Sequence, residues 1–136
     1  MLMRIVVHIL LVVLLPVVSE AIVWPGGVHA EVTNCLSDNK ILVLHCYERL
    51  GLDLGERQLP PAGQFKLYFI PRLFFKSSKY YCSAKWDGSN LKWFDMWSKG
   101  RDWDEGPHIK WNVTEKQACR FEKKTGTYSL CVVYNQ

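Results

Sequence analysis

Residues 41–46 read ILVLHC, and Asp53-Leu54-Gly55 follows a few residues later. The run from Ile41 to Leu44 is apolar and rich in β-forming residues, and it is too short for a helix. It predicts a strand that is buried on both faces and that carries Cys46 into the core. We interpret Asp53-Leu54-Gly55 as a turn in which Gly55 adopts a positive φ. Together these features predict a small β domain held by disulfides.

The N-terminus predicts export from the cell. Arg4 precedes the apolar run Ile5–Val18, which is shorter than the roughly 20 residues that a transmembrane helix needs. Ser19-Glu20-Ala21 then supplies small residues at the two positions that signal peptidase reads. We therefore predict a signal peptide at residues 1–21 and a single mature domain at 22–136, secreted, extracellular and without a further transmembrane segment. An uncleaved membrane anchor and cleavage after Ala30 are the alternatives.

The distribution of charge and the spacing of the cysteines favour neither nucleic-acid binding nor a metal site. The net charge is +4, and the basic residues are spread along the chain without a block of like charges. This distribution does not indicate nucleic-acid binding, although weak attraction to acidic polymers or anionic membranes is compatible with it. The sequence has no Cys-x-x-Cys pair and no Cys/His cluster at zinc spacing, so we expect neither a metal nor a cofactor.

Hydrophobic alternation predicts an all-β fold. Phe65, Leu67 and Phe69 alternate with polar neighbours, and the other predicted strands are similar in length. They are residues 28–34, 41–46, 64–70, 80–86, 91–97, 109–114, 117–121 and 127–134. About eight short strands separated by turns are typical of an antiparallel β-sandwich of two sheets. Six residues each of Trp, Tyr and Phe fit a core of large rings between the sheets.

Five cysteines lie after the predicted signal peptide, and secretion favours disulfides between them. A hairpin that turns near residue 125 would place Cys119 opposite Cys131, which favours a bridge between them. We favour Cys46 with Cys82 as the second bridge. Two bridges that join Cys46 and Cys82 to the C-terminal pair remain open as the alternative. Cys35 is the unpaired residue in either arrangement.

The ordered motifs resemble those of the plant self-incompatibility S1 proteins, also called S-protein homologues. The matching segments are Val32-Thr33-Asn34-x-Leu36, Leu44-His45-Cys46, Asp53-Leu54-Gly55, Pro61–Phe69, Tyr80-Tyr81-Cys82-Ser83-x-x-Trp86, Phe94-Asp95-Met96, Arg101-Asp102 and Trp111-x-Val113. The resemblance runs from about Val28 to Tyr134. Many members of that family carry Cys-x-x-Cys-x-Trp before the last strands, where this chain has Gly106 and Ile109 before Trp111.

The resemblance implies a secreted β-sandwich that acts as an extracellular recognition or signalling ligand in flowering plants. Its partner would be a plasma-membrane receptor protein on a neighbouring cell, as in pollen–pistil self-incompatibility. We expect a monomer that is not an enzyme. A secreted defence or toxin-like protein that acts on membranes and, less favoured, a small secreted hydrolase are the alternatives.

Two sets of residues could support catalysis. His45 next to Cys46 could form a nucleophile pair, but adjacent strand residues point to opposite faces, so a structural histidine beside a disulfide is the better interpretation. Asp102, Asp104 and Glu105 could supply the carboxylates of a glycoside hydrolase. Acidic residues in one polar loop more often form a solvated surface, which is the interpretation we adopt.

The segment Arg101–Glu105 is the first candidate for a recognition loop. Trp103 lies among Arg101, Asp102, Asp104 and Glu105, and an aromatic residue with charged neighbours suits protein recognition. The equally supported alternative is that Trp103 folds back onto the sandwich. Asn112-Val113-Thr114 is a glycosylation sequon, and strand alternation predicts that Asn112 points outward.

Overall fold

Two packed β-sheets form the domain. The computed structural model describes residues 26–71 and 78–135, so the predicted signal peptide at residues 1–21 lies outside the described residues. The strands are β1 (Val28–Asn34), β2 (Leu42–Glu48), β3 (Asp53–Leu59), β4 (Gln64–Phe69), β5 (Lys79–Lys85), β6 (Lys92–Ser98), β7 (His108–Val113), β8 (Gln117–Glu122) and β9 (Thr127–Val133). A single-turn helix α1 (Lys99–Asp102) and a 3-10 turn (Trp103–Glu105) connect β6 to β7. The predicted all-β sandwich is confirmed.

The strands are arranged in a five-stranded sheet, in the order β4-β1-β7-β8-β9, and a four-stranded sheet, in the order β3-β2-β5-β6. Every pairing is antiparallel except that of β1 with β7, which is parallel. The prediction of a purely antiparallel sandwich is wrong in this respect. The parallel pair is possible because the chain between β1 and β7 is long: it forms β2 to β6 and enters β7 from β6 of the other sheet.

The segment from Asp53 forms a strand and not the turn that we predicted. The chain reverses before it, at residues 49–52, and Asp53–Leu59 pairs with β2 as strand β3. This strand is the one that the sequence analysis did not predict, which raises the number from eight to nine. The register shifts where Cys46 faces Gly55 and Tyr47 faces Asp53, so Leu54 is the extra residue of a β-bulge. Gly55 has a φ of +103°, as expected for the one residue type that adopts this conformation at little cost.

The core lies between the two sheets and consists of the inward positions of nearly every strand. Its largest fully buried side chains include Trp97, Trp111 and Phe94. Trp111 on β7 donates its indole N–H to the Met96 carbonyl on β6, with a distance of 2.8 Å, and so joins the two sheets. Burial of these rings leaves the outward positions of each sheet as the two broad surfaces on which recognition can occur.

Candidate functional site

The predicted recognition loop is tied into the fold at its centre. Asp102, at the end of α1, is fully buried, and its carboxylate contacts the Arg120 guanidinium on β8. It also accepts hydrogen bonds from the Ser98 backbone N–H at 2.8 Å and from Arg101 Nη2 at 2.7 Å. The prediction of a solvated acidic surface is therefore wrong for Asp102. A buried carboxylate is stable here because two guanidinium groups neutralise it and hydrogen bonds satisfy both oxygens.

The two arginines bind this carboxylate from different directions. Arg120 is 2% exposed and has a second acidic neighbour in Glu105, at 3.5 Å. Arg101 is half-buried, donates a hydrogen bond of 2.7 Å to the Asp95 carbonyl, and lies 5.1 Å from the centre of the Trp111 ring. We call Arg101, Asp102, Glu105 and Arg120 the buried ion cluster. It fixes the β6–β7 connection against the end of the sandwich.

Trp103 and Asp104 differ in their surroundings. Trp103 is half-buried and packs against the hydrophobic core, with the Lys99 ammonium 5.5 Å from its ring centre. Asp104 is the one exposed side chain among the five residues of the predicted loop. Glu105 is half-buried, and its carboxylate also accepts a hydrogen bond from the Lys123 backbone at 3.1 Å. This geometry favours the alternative in which Trp103 folds back onto the sandwich.

The same burial argues against the hydrolase interpretation. Glycoside hydrolysis needs two carboxyl groups that face a shared space for the substrate. Asp102 faces two arginines within the protein, and Glu105 is bound to Arg120. The three acidic residues therefore do not form a pair that a sugar could reach.

The structure forms both of the disulfides that we favoured. Cys46 on β2 lies directly opposite Cys82 on β5, and their bridge is fully buried. Cys119 on β8 lies opposite Cys131 on β9, on the outer side of the five-stranded sheet. Cys35 has a free, exposed thiol, and partial burial raises its pKa above the usual value.

Asn112 lies on β7, where it is half-buried between Thr33 on β1 and Cys119 on β8. Its neighbours Trp111 and Val113 are fully buried, so the side chain of Asn112 belongs to the outer face of the five-stranded sheet. Glycosylation at this position stays a prediction.

A cluster of rings on the other sheet was missed by the sequence reasoning. His45 and Tyr47 on β2, Tyr81 on β5 and Trp93 on β6 lie next to one another on the outer side of the four-stranded sheet, and we call them the aromatic face. The ring centres are 4.2 Å apart for His45 and Tyr47, 5.5 Å for Tyr47 and Tyr81, and 5.8 Å for Tyr81 and Trp93. All four side chains are half-buried. The available signal was that Tyr81 and Trp93 lie in predicted strands next to the buried residues Cys82 and Phe94, so alternation places both rings on the outer face.

Hydrogen bonds fix one side of the aromatic face. His45 Nε2 lies 2.7 Å from Asp53 Oδ1, and the Tyr47 hydroxyl lies 2.9 Å from His45 Nδ1. The pKa of Asp53 lies below its ordinary value. The main cause is the hydrogen bond of 2.8 Å that the Gly55 backbone N–H donates to its carboxylate, and the second is the hydrogen bond with His45. Partial removal from water, together with the Asp53 charge, raises the pKa of Tyr47. These rings are consequently held in place before any partner binds.

His45 and Cys46 do not form a catalytic pair. Cys46 points into the core, where it is bonded to Cys82, while His45 points outward to Asp53. The structural interpretation of His45 is confirmed. Within residues 26–71 and 78–135 there is no group of three or more His, Cys, Asp or Glu side chains that could hold a metal ion. Nor does this part of the chain contain a helix long and apolar enough to cross a membrane.

Comparison with known proteins identifies the family. The model of the plant self-incompatibility protein S1 family matches residues 29–134, which is nearly the whole described domain. The chain belongs to this family. Among individual S1-family proteins it is similar to S-protein homolog 4 of Arabidopsis thaliana, with 26% identity over 95% of this chain and 91% of the relative. It is also similar to S-protein homolog 29 of the same plant, with 30% identity over 76% of this chain and 75% of the relative.

Proposed function

We propose that this S1-family protein is a secreted recognition ligand for a plasma-membrane receptor protein on a neighbouring cell. The observation that carries the proposal is the aromatic face, a group of stacked rings on an open sheet surface. Pollen–pistil self-incompatibility is one setting for such a ligand, and development and defence are others. In this proposal the protein acts by binding, as a monomer without catalytic activity.

Export is supported by the apolar N-terminal segment and by the two disulfides. Disulfides persist in oxidising compartments and are rare in the cytosol. We propose that residues 1–21 are removed as a signal peptide and that residues 22–136 form the mature ligand.

The aromatic face has the composition of a protein-binding surface. Tyrosine and tryptophan are enriched among the residues that contribute most to binding free energy, because each buries a large area at a small cost in conformational entropy. Tyr47, Tyr81 and Trp93 are already half-buried by one another, so few rotamers are lost when a partner covers them.

Charged residues surround these rings, as in the polar rim of a protein interface. Asp53 and Glu56 on β3 lie beside His45 on β2. An ion pair between Lys79 and Asp95, with an N–O distance of 3.1 Å, lies beside Tyr81. The carboxylates outnumber the ammonium group at this rim. A receptor surface with exposed basic residues around an apolar centre would complement it.

The mutational test compares two tyrosines on opposite sheets. Labelled mature protein is titrated onto plasma membranes from pollen and from vegetative tissue, with Tyr81→Ala as the test variant and Tyr68→Ala as the matched control. Tyr68 lies on β4, on the outer side of the five-stranded sheet. We expect Tyr81→Ala to weaken binding by about tenfold or more, because truncation of a central aromatic residue costs about 1.4 kcal/mol or more. Tyr68→Ala should bind like the wild type.

Protease treatment of the membranes identifies the class of the partner. Loss of binding after the treatment supports a protein receptor. Undiminished binding, or equal binding to protein-free vesicles of the same lipids, would contradict the proposal and favour the membrane-active alternative. Equal effects of Tyr81→Ala and Tyr68→Ala would contradict the assignment to the aromatic face.

A further inference from the structure

The outer side of the five-stranded sheet carries a second surface, with a different chemistry. His29 on β1 and His108 on β7 stack with ring centres 5.3 Å apart, and Tyr68 on β4 packs against His29 at 4.8 Å. Both histidines are exposed. The parallel pairing of β1 with β7 brings them together, because it sets His29 directly beside His108.

A row of charged residues runs next to these rings. Glu31 on β1 lies between Lys66 on β4 and Lys110 on β7 in the strand register. Neighbouring strands are about 4.8 Å apart, so the two ammonium groups border a strip roughly 10 Å wide. Neither lysine takes part in an ion pair within the part of the chain that the structure describes.

Two adjoining depressions make this surface concave. One, of about 140 Å³, is lined by His29, Glu31, Lys66, His108 and Lys110 together with the intervening backbone. The other, of about 340 Å³, is lined by Glu105, His108, Lys110, Phe121 and Lys123. They adjoin at His108 and Lys110, which line both, and we call the two depressions together the histidine groove.

The charge of the groove is positive. Three lysines face two carboxylates, and one of these, Glu105, is bound to Arg120. The charged residues that line the groove beside the histidines are Glu31, Lys66, Lys110, Glu105 and Lys123.

We propose that the histidine groove binds an acidic polysaccharide, with uronate carboxylates on its lysines and histidines. Two adjoining depressions along one face suit a linear chain, and Phe121, which lines the larger one, offers a flat ring surface for the apolar face of a sugar. The cations of the groove are lysines, which bind single carboxylate oxygens, whereas phosphate sites favour the bidentate guanidinium of arginine. The groove lies on the sheet opposite the aromatic face, so the receptor proposal does not depend on it.

The test measures the affinity of the purified mature protein for fluorescent oligogalacturonate. Lys110→Ala should weaken binding about threefold to fivefold, the effect of one exposed charge pair. Lys85→Ala, which removes an exposed lysine from the other sheet, should leave binding unchanged. The double variant His29→Gln/His108→Gln should weaken binding severalfold while keeping its Tm, because both rings line the groove.

Three control ligands test whether the groove is specific for acidic polysaccharide. A neutral oligosaccharide of the same length, inorganic phosphate and vesicles that contain phosphatidylserine are titrated in parallel. Preference for the acidic oligosaccharide over all three supports the proposal. Equal binding of the neutral sugar, tighter binding of phosphate or vesicles, no binding of oligogalacturonate, or an equal loss in Lys85→Ala would overturn it.

Discussion

Replacement of Asp102 by alanine tests the assignment of the Arg101–Glu105 segment to the fold. The variant removes the carboxylate that contacts Arg120 and that accepts hydrogen bonds from Ser98 and Arg101. Arg120 then stays buried with Glu105, at 3.5 Å, as its remaining counter-charge. Removal of one partner from a buried ion pair costs about 3–5 kcal/mol, since the other charge is left in a poorly solvated site. Arg101 is half-buried and becomes hydrated after the substitution, so it adds little to the cost. We therefore expect Asp102→Ala to lower the free energy of unfolding by about 4 kcal/mol, which corresponds to a fall in Tm of roughly 15 °C.

The assay is equilibrium unfolding in urea of Asp102→Ala and of Asp104→Ala, the matched control. Asp104 is exposed, and its replacement should change the free energy of unfolding by less than about 0.5 kcal/mol. The double variant Asp102→Ala/Arg120→Ala should be less destabilised than the sum of its two single variants. A loss below about 1 kcal/mol for Asp102→Ala, or equal losses at the two aspartates, would refute the buried ion cluster as a source of stability.

Three further predictions concern stability and covalent structure. Trp103→Ala should lower the free energy of unfolding in urea by about 1–3 kcal/mol, because this half-buried ring packs on the core. An unchanged free energy of unfolding would contradict this and would make Trp103 a candidate recognition residue again. Hydrogen bonds from Ser37, together with Lys40, lower the pKa of Glu115 to about 2, so its contribution to stability should be complete above about pH 4.5 and disappear as the pH falls to 2. The measurement is the difference in free energy of unfolding between the wild type and Glu115→Gln at each pH, and a difference that grows on acidification would contradict the prediction. Mild reduction followed by alkylation and peptide mapping should label the Cys119–Cys131 bridge before the buried bridge between β2 and β5; the reverse order would show that their exposure is misassigned.

Local sequence patterns were sufficient to predict most of the strands and the C-terminal disulfide. Alternation of apolar and polar residues identifies a half-buried strand because successive side chains point to opposite faces. Cys119 and Cys131 are equally far from the hairpin turn, and the register does place them opposite each other. The strand Asp53–Leu59 was missed because just one of its seven residues, Leu59, is buried, so it lacks the apolar alternation of the other strands.

The burial of Asp102 could not be predicted from its neighbours. Its local sequence is charged, and such segments are usually solvated. The residue that neutralises it, Arg120, lies on a strand 18 positions away and is itself buried by the same contact. A buried ion pair of this kind depends on tertiary packing that no local pattern records.

Both candidate surfaces depend on the order of strands within a sheet. Tyr47, Tyr81 and Trp93 lie on three different strands, and they become one surface because β2, β5 and β6 are neighbours in the sheet. The histidine groove likewise requires the parallel pairing of β1 with β7, which the sequence reasoning did not anticipate. Strand order follows from how the whole chain buries its apolar faces, and it is therefore a property of the complete fold.

Hydroxyl-radical footprinting of the receptor-bound protein would test most directly whether the aromatic face is the recognition surface. The oxidation rates of Tyr47, Tyr81 and Trp93 are compared between the free protein and the protein bound to plasma membranes, with Tyr68 and Trp103 as internal references. The proposal predicts that binding lowers oxidation of the three aromatic-face residues severalfold and leaves both references unchanged. Unchanged oxidation of the aromatic face, with protection confined to Trp103 or Tyr68, would contradict it.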